Sequence, residues 1–149
     1  MKGPAQLTLT SASMSTTHHT HDASLCIDGS TTTFCHTAHD STDPWLSVQL
    51  PSTTEVGYVV VYNREDCCYD RLSPLQIWVG ASAGDYNSGT SASCGVDEVT
   101  LTTTATKGPF TFRCADGVGN ALGGSFVTLV LPGAARTLHV AEIEIFWAF

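Results

Sequence analysis

The stretch VGYVVVYNREDCCYDR, Val56 to Arg71, decides how this chain is read. Its first half, VGYVVVYN, is rich in β-branched residues and apolar on both faces, the pattern of a strand buried in the middle of a sheet. Its second half turns polar at once and sets two adjacent cysteines between two arginines. A central strand that runs straight into such a loop puts the loop at the rim of the sheet, where binding residues are commonly carried. Arg64 and Arg71 there offer forked N–H donors to a ligand with fixed acceptors, and Asp66 and Asp70 are expected to hold the two guanidiniums in place.

On both sides of this stretch the apolar residues recur with period two. Leu46, Val48 and Leu50 share one face of WLSVQL, and Leu75, Ile77 and Val79 share one face of LQIWVG, so each reads as a half-buried strand. SFVTLVLPG and the closing RTLHVAEIEIFW resemble the central run. Turn clusters separate them: IDGS, STDP, SAGDYNSG, DGVGNALGG and PGAA. The Thr-rich TLTTTAT reads as a strand with an exposed threonine face. No segment carries a capped apolar stripe of helical period. Many short strands with turns between them predict an all-β chain folded as an antiparallel β-sandwich, with a long irregular N-terminal third supplying loops at one end. Trp45, opening a strand after Pro44, reads as core.

The 149 residues suit one domain, spanning 1–149. A formal charge of -8, with only 6 Lys and Arg, excludes nucleic acid or an anionic membrane surface as partner, since both demand a basic face. The low charged fraction, with Ser and Thr carrying most of the polarity, is more typical of extracellular β proteins than of cytosolic helical enzymes. No apolar run is long enough to cross a bilayer, and MKGPAQLTLT lacks the apolar core of a signal peptide. Any secretion signal or neighbouring domain is therefore expected to lie outside this sequence, in a longer parent chain.

The cysteines, Cys26, Cys35, Cys67, Cys68, Cys94 and Cys114, form an even set. Many connectivities are open to six. A zinc site needs C-x-x-C-like pairs, and the sequence has none, so a disulfide framework is the better reading. A bond between the adjacent Cys67 and Cys68 would be a rigid, weakly polar ledge. Placed beside strong donors, it suits a sugar, which offers hydroxyls on one edge and a C–H patch on another. Catalysis is not expected. Nothing marks Asp66 with Glu65 or Asp70 as the facing carboxylates of a glycosidase, and G-x-S-x-G, P-loop, H-E-x-x-H and G-x-G-x-x-G motifs are absent from the sequence.

Arg64-x-Asp66-x4-Arg71 with Cys67-Cys68, after Cys35-His36-Thr37 and Asp43-Pro44-Trp45, resembles the F-type lectin (fucolectin) family. The likeness begins at Ser24-Leu25-Cys26-Ile27-Asp28-Gly29 and continues to Val127-Thr128-Leu129 and His139 to Glu144, nearly the whole chain. The resemblance implies a discoidin-like jelly-roll that binds terminal L-fucose through one histidine and two arginines, here His36, Arg64 and Arg71. His39, nearer Pro44, is the rival for the histidine. Cys67-Cys68 would pack against the apolar part of the sugar, with Asp66 ordering Arg64, and Tyr69 and Tyr86 could extend the pocket. His18, His19 and His21 are read as exposed loop residues. The resemblance also implies a structural calcium held by Asp28 and Glu142, with the carbonyl of Ser30 and the backbone at Ala141. It implies the pairs Cys26-Cys35, Cys67-Cys68 and Cys94-Cys114, Cys26 substituting for a last-strand cysteine whose place Ala141 takes. The expected partners are fucosylated glycans in an extracellular or cell-surface setting, with oligomerisation or tandem domains supplying multivalency. The alternative is a discoidin-like adhesion module whose loops bind a protein or another surface ligand.

Overall fold

The computed structural model describes residues 5–94, 107–116 and 118–147. The TLTTTAT segment, 100–106, lies outside the described residues. Ten strands are described: β1 (Ala5–Gln6), β2 (Ser11–Met14), β3 (Cys35–His36), β4 (Trp45–Tyr62), β5 (Gln76–Gly80), β6 (Ala92–Ser93), β7 (Phe110–Arg113), β8 (Leu122–Val130), β9 (His139–Val140) and β10 (Glu142–Trp147). All pairings are antiparallel, in the order β1-β10-β4-β8-β5-β6, with β2 and β7 also on β4 and a small separate pair β3-β9. The only helical pieces among the described residues are two 3-10 turns, Ala23–Cys26 and Tyr69–Leu72. This is the antiparallel β-sandwich that the alternation predicts, in the jelly-roll form that the resemblance implies.

One long strand, β4, organises the sandwich. WLSVQL and VGYVVVYN are not two strands but the two halves of Trp45–Tyr62. The first half pairs β2 and β8, and the end of the second pairs β10 and β7. Between Gln49 and Thr54 the register against β8 shifts. Val56, beyond that shift, is still buried in the parity of Leu46, Val48 and Leu50; the parity changes to Val59 and Val61 at Gly57, where the register against β10 shifts between Val56 and Tyr58. A period-two strand changes its buried face only through such an irregularity. Pro51, which has no N–H for a ladder, sits in the earlier shift against β8.

Leu46, Ile77, Leu129, Ile143 and Ile145 are among the largest fully buried side chains. Burying each contributes roughly 1.5–3 kcal/mol relative to leaving it in water. β8 lies close to β5 where Gly124 meets Gly80: a Cβ at Gly124 would stand 2.7 Å from the Gly80 carbonyl, so only glycine permits the approach. Trp45 lies half-buried under the loop after β5, where Gly84, at φ +74, leaves no room between its own backbone and the indole.

Cys67-Cys68 and Cys94-Cys114 are bonded. Cys26 and Cys35 are not, in contrast to the pairing expected above: both are buried free thiols. The Cys26 thiol, at the end of the first 3-10 turn, donates instead to the Ala23 carbonyl at 2.8 Å. Burial and the neighbouring Cys35 push that thiol well above its ordinary pKa, so it remains an inert, protonated core group.

Candidate functional site

At one end of the sandwich the loop after β4 is built around Asn63, which is 1% exposed. Its Nδ2 donates to the Tyr69 carbonyl at 3.0 Å and its Oδ1 accepts from the Arg64 amide at 2.9 Å. Tyr69 Oη closes the loop by donating to the Glu65 carbonyl at 2.8 Å. Tyr69 therefore holds the loop and does not line the recess beside it. Cys68 sits at φ +65, the left-handed region rare for a side chain, and leads into the second 3-10 turn, which buried Leu72 anchors. The loop presents Arg64, Cys67, Cys68 and Arg71 to one recess of about 300 Å³.

The opposite wall comes from β3 and the segment before it. β3 pairs with β9 so that His36 faces His139, their rings 5.4 Å apart. The N-terminal segment is hung on the same strand: the His18 amide donates to the His36 carbonyl at 2.8 Å, and the His36 amide to the His21 carbonyl at 3.0 Å. These two backbone bonds carry His18 and His21 into the recess, where they join Phe34, His36 and His39. The rings of His18, His36 and His39 stand 4.6–5.0 Å apart. Thus His18 and His21 are not the outlying loop residues that their sequence suggests, and both His36 and its rival His39 line the same recess. Local sequence held no sign of the first pair, because the contact depends on pairing with a distant strand. Phe34 was missed as well; the Arg64 guanidinium lies over its ring at 4.3 Å, a cation–π contact.

Arg64 makes a forked pair with Asp66, which lies outside the recess, and this pair together with hydrogen bonding holds the Asp66 carboxyl below its ordinary pKa. Asp70 does not repeat the arrangement for Arg71. Among the described residues Arg71 has no ion-pair partner; Asp70, its neighbour in the 3-10 turn, lines an adjoining recess that shares His39 and Arg71 with the first. Tyr86 lies elsewhere, in a recess with Trp78 and Asp43. Burial holds His36 down to about 4, helped by His18, His39 and Arg64 and opposed by the bond from its Nδ1 to the Thr37 carbonyl. Burial likewise holds His139 to about 3, and among the described residues neither of its ring nitrogens has a partner.

The residues expected to hold calcium come together beside the IDGS turn. Asp28 Oδ1 accepts from the Ser30 amide at 3.0 Å and Oδ2 from the Thr33 hydroxyl at 2.6 Å. Glu142, the first residue of β10, is 9% exposed and takes the Gly29 amide on Oε2 at 3.0 Å, while Oε1 is buried with no partner. Burial, with Asp28 and Glu144 nearby, pushes Glu142 up to about 7. The Ala141 amide is committed to the Tyr62 carbonyl at 2.8 Å. An orphaned carboxylate oxygen next to a second carboxylate fits a hard cation. Among the described residues no three His, Cys, Asp or Glu side chains converge as a metal centre, so any such ion would need backbone carbonyls.

Residues 25–120 match the family model described as the NedA-like, galactose-binding domain. Fucolectin-6 of Anguilla japonica is 30% identical over 128 residues, 83% of this chain and 62% of that protein. Fucolectin of Anguilla anguilla is 30% identical over 129 residues, 83% of this chain and 75% of its own length. The crystal structure of a fucolectin from the serum of the striped bass, Morone saxatilis, superposes with a TM-score of 0.78 at 24% identity, covering 96% of this chain and 49% of that one. The chain thus spans under two thirds of Fucolectin-6 and about half of the bass lectin. On the family-model match and the identity to the eel lectins together, this chain belongs to the F-type lectin (fucolectin) family of F5/F8 type C domains.

Proposed function

We propose that this domain is an extracellular lectin that binds terminal L-fucose on glycans through His36, Arg64 and Arg71, the two arginines donating to ring and hydroxyl oxygens, His36 meeting a sugar hydroxyl, and the Cys67-Cys68 ledge lying under the sugar's apolar edge. The observation that supports this reading is the recess itself, which gathers those five residues from β3 and the loop after β4. Relatives that carry the name fucolectin support it further. The family is one of binding domains, not enzymes. Two disulfides suit an oxidising, secreted setting. A shallow pocket with few polar contacts gives roughly micromolar to millimolar affinity for one sugar, so useful strength would come from an oligomer or tandem domains.

Calcium is proposed as a structural ion held by Asp28 and Glu142, with carbonyls of Ser30 and Ala141. Its support is the buried, unpartnered Glu142 Oε1. It would fix the turn after the first 3-10 segment against β10 and so steady the loops that flank the recess.

The test is a calorimetric titration of the oxidised domain with L-fucose and with D-galactose, both in calcium. Saturable binding of fucose alone upholds the reading. Binding of galactose instead would favour the sugar in the family model's description. No heat with either, at protein concentrations able to detect millimolar affinity, would overturn it in favour of a discoidin-like adhesion module.

A further inference from the structure

The chain has 6 histidines, and all of them lie at one end of the fold in one connected set of ring contacts. Four of them, His18, His21, His36 and His39, line the recess with Arg64 and Arg71. Among the described residues no carboxylate lines it. Asp66 is drawn to Arg64 outside it, while Asp40 and Asp70 line the adjoining recess that shares His39 and Arg71. His139 faces His36 with its ring 5.4 Å away, and His19 packs on His18 at 4.1 Å. Arg136 also lines the adjoining recess.

Hydrogen-bond roles follow from these contacts. A carbonyl only accepts, so His36 Nδ1, 2.6 Å from the Thr37 carbonyl, carries the proton in the neutral ring, and so does His21 Nδ1, 3.3 Å from the Phe34 carbonyl. Each neutral ring then keeps Nε2 as an acceptor, which a sugar hydroxyl can use. Once the rings are protonated, every polar side chain lining the recess is a donor. A sugar hydroxyl that gave its proton to Nε2 loses that acceptor, and its neutral oxygen gains less from an imidazolium donor than an anion does. A sulfate ester or carboxylate only accepts, and its bonds to imidazolium and guanidinium are charge-assisted. Arg71, without an ion pair among the described residues, already supplies one charge of the required sign.

We infer that the recess selects a sugar bearing a single anionic group, a sulfate ester or a carboxylate, and that its hold on that group tightens as the histidines take up protons. This deepens the fucose reading and rests on the recess being a sugar site. A single charge is the limit, since a second one towards His39 and Arg71 would meet Asp40 and Asp70. Burial and the surrounding cations hold His18 and His36 below the ordinary imidazole range. A bound anion offsets that cost, so binding draws protons in by linkage.

The experiment titrates the domain calorimetrically with L-fucose, with its 2-, 3- and 4-O-sulfates, and with L-galacturonate, the same ring carrying a carboxylate. It is done at about pH 7.5 and about pH 5.5, within the range where imidazoles change charge, in buffers of different ionisation enthalpy. The expected result is one anionic sugar binding on the order of tenfold tighter than L-fucose at the lower pH, the size of about one charge-assisted contact. Net proton uptake should accompany it, and salt should weaken it. The sulfate and galacturonate arms separate the two sources of charge. In the double variant His18→Gln, His21→Gln the proton uptake should fall; His18→Gln alone serves if the double variant melts. Should fucose bind while no anionic analogue binds tighter at either pH, this inference fails and the fucose reading stands. Anionic sugar bound without fucose supports the inference and ends the fucose reading. Silence from all the sugars overturns both, and uptake unchanged in the variants overturns the role given to the histidines.

Discussion

Arg71 stands in the wall of the recess with its backbone fixed by the 3-10 turn, its amide donating to the Cys68 carbonyl at 3.1 Å, and with no acid paired to its side chain among the described residues. A guanidinium so placed contributes to a ligand and little to the core. Arg71→Ala should therefore abolish fucose binding while changing unfolding free energy by less than about 0.5 kcal/mol, the usual range for such surface changes. Titration and thermal melting of the same sample check both halves, and a collapse in stability would make Arg71 a structural residue instead. Two histidines titrate abnormally in one sense and a glutamate in the other. His139 and His36 have folded pKa values near 3 and 4, below the unfolded value, so their contribution to stability is complete above about pH 6.5 and is lost as pH falls. Glu142, raised to about 7, favours folding most at low pH and loses that contribution as pH rises from about 4.5 through 7. Between pH 7 and pH 5 the two trends oppose. In metal-free buffer, His139→Phe should make the domain lose less stability on acidification than the unaltered protein, and Glu142→Gln should make it lose more. Urea denaturation at the two pH values measures the difference. Equal slopes in all three proteins would remove both assignments.

At the scale of elements, β4 shows what sequence pattern reveals and what it hides. Period two marked Leu46, Val48 and Leu50 and, separately, Leu75, Ile77 and Val79 as buried faces, and these residues are buried. It did not reveal that WLSVQL and VGYVVVYN are one strand, because the polar run PSTTE, opened by Pro51, interrupts the apolar signal and the buried parity then changes at Gly57. The same limit applies to the recess. Arg64, Cys67, Cys68 and Arg71 were legible because they follow a recognisable strand in one local loop. His18 and His21 were not, since backbone bonds to His36 bring them in, and no local rule records those bonds. Cys26 and Cys35 misled because neighbouring thiols need not be bonded: the two interact as buried free thiols, and Cys26 donates to the Ala23 carbonyl. Within the sheet, β8 is the element on which the flanking strands depend. Leu129 lies opposite Leu46 of β4 and Ile77 of β5, and all three are almost wholly buried. Leu129→Ala should cost about 2–5 kcal/mol, the cavity being closed in from both neighbouring strands. A urea transition displaced by less than about 1 kcal/mol would mean that the sheet collapses into the gap more readily than its close packing allows.

For the molecule as a whole, the recess and the second disulfide belong to different parts of the chain. Cys94 and Cys114, both buried, close a loop of sequence separation 20, and neither lines the recess, which is walled by residues from β3, the N-terminal segment and the loop after β4. In the chain-entropy model a crosslink over a loop of this length stabilises by about 3 kcal/mol, by restricting the unfolded chain. For a domain of this size that corresponds to a melting temperature lower by roughly 6–12 °C when the crosslink is removed. Removing it leaves every side chain of the recess in place, so binding and global stability should separate. The double variant Cys94→Ala, Cys114→Ala should melt earlier by that amount and, well below its melting temperature, bind fucose with affinity unchanged within about twofold, because no recess contact is altered. Differential scanning calorimetry and sugar titration on one preparation give both numbers. If affinity fell along with the melting temperature, the recess would depend on the order of the whole sandwich, and its preorganisation would be a property of the fold at large instead of the loop held by Asn63.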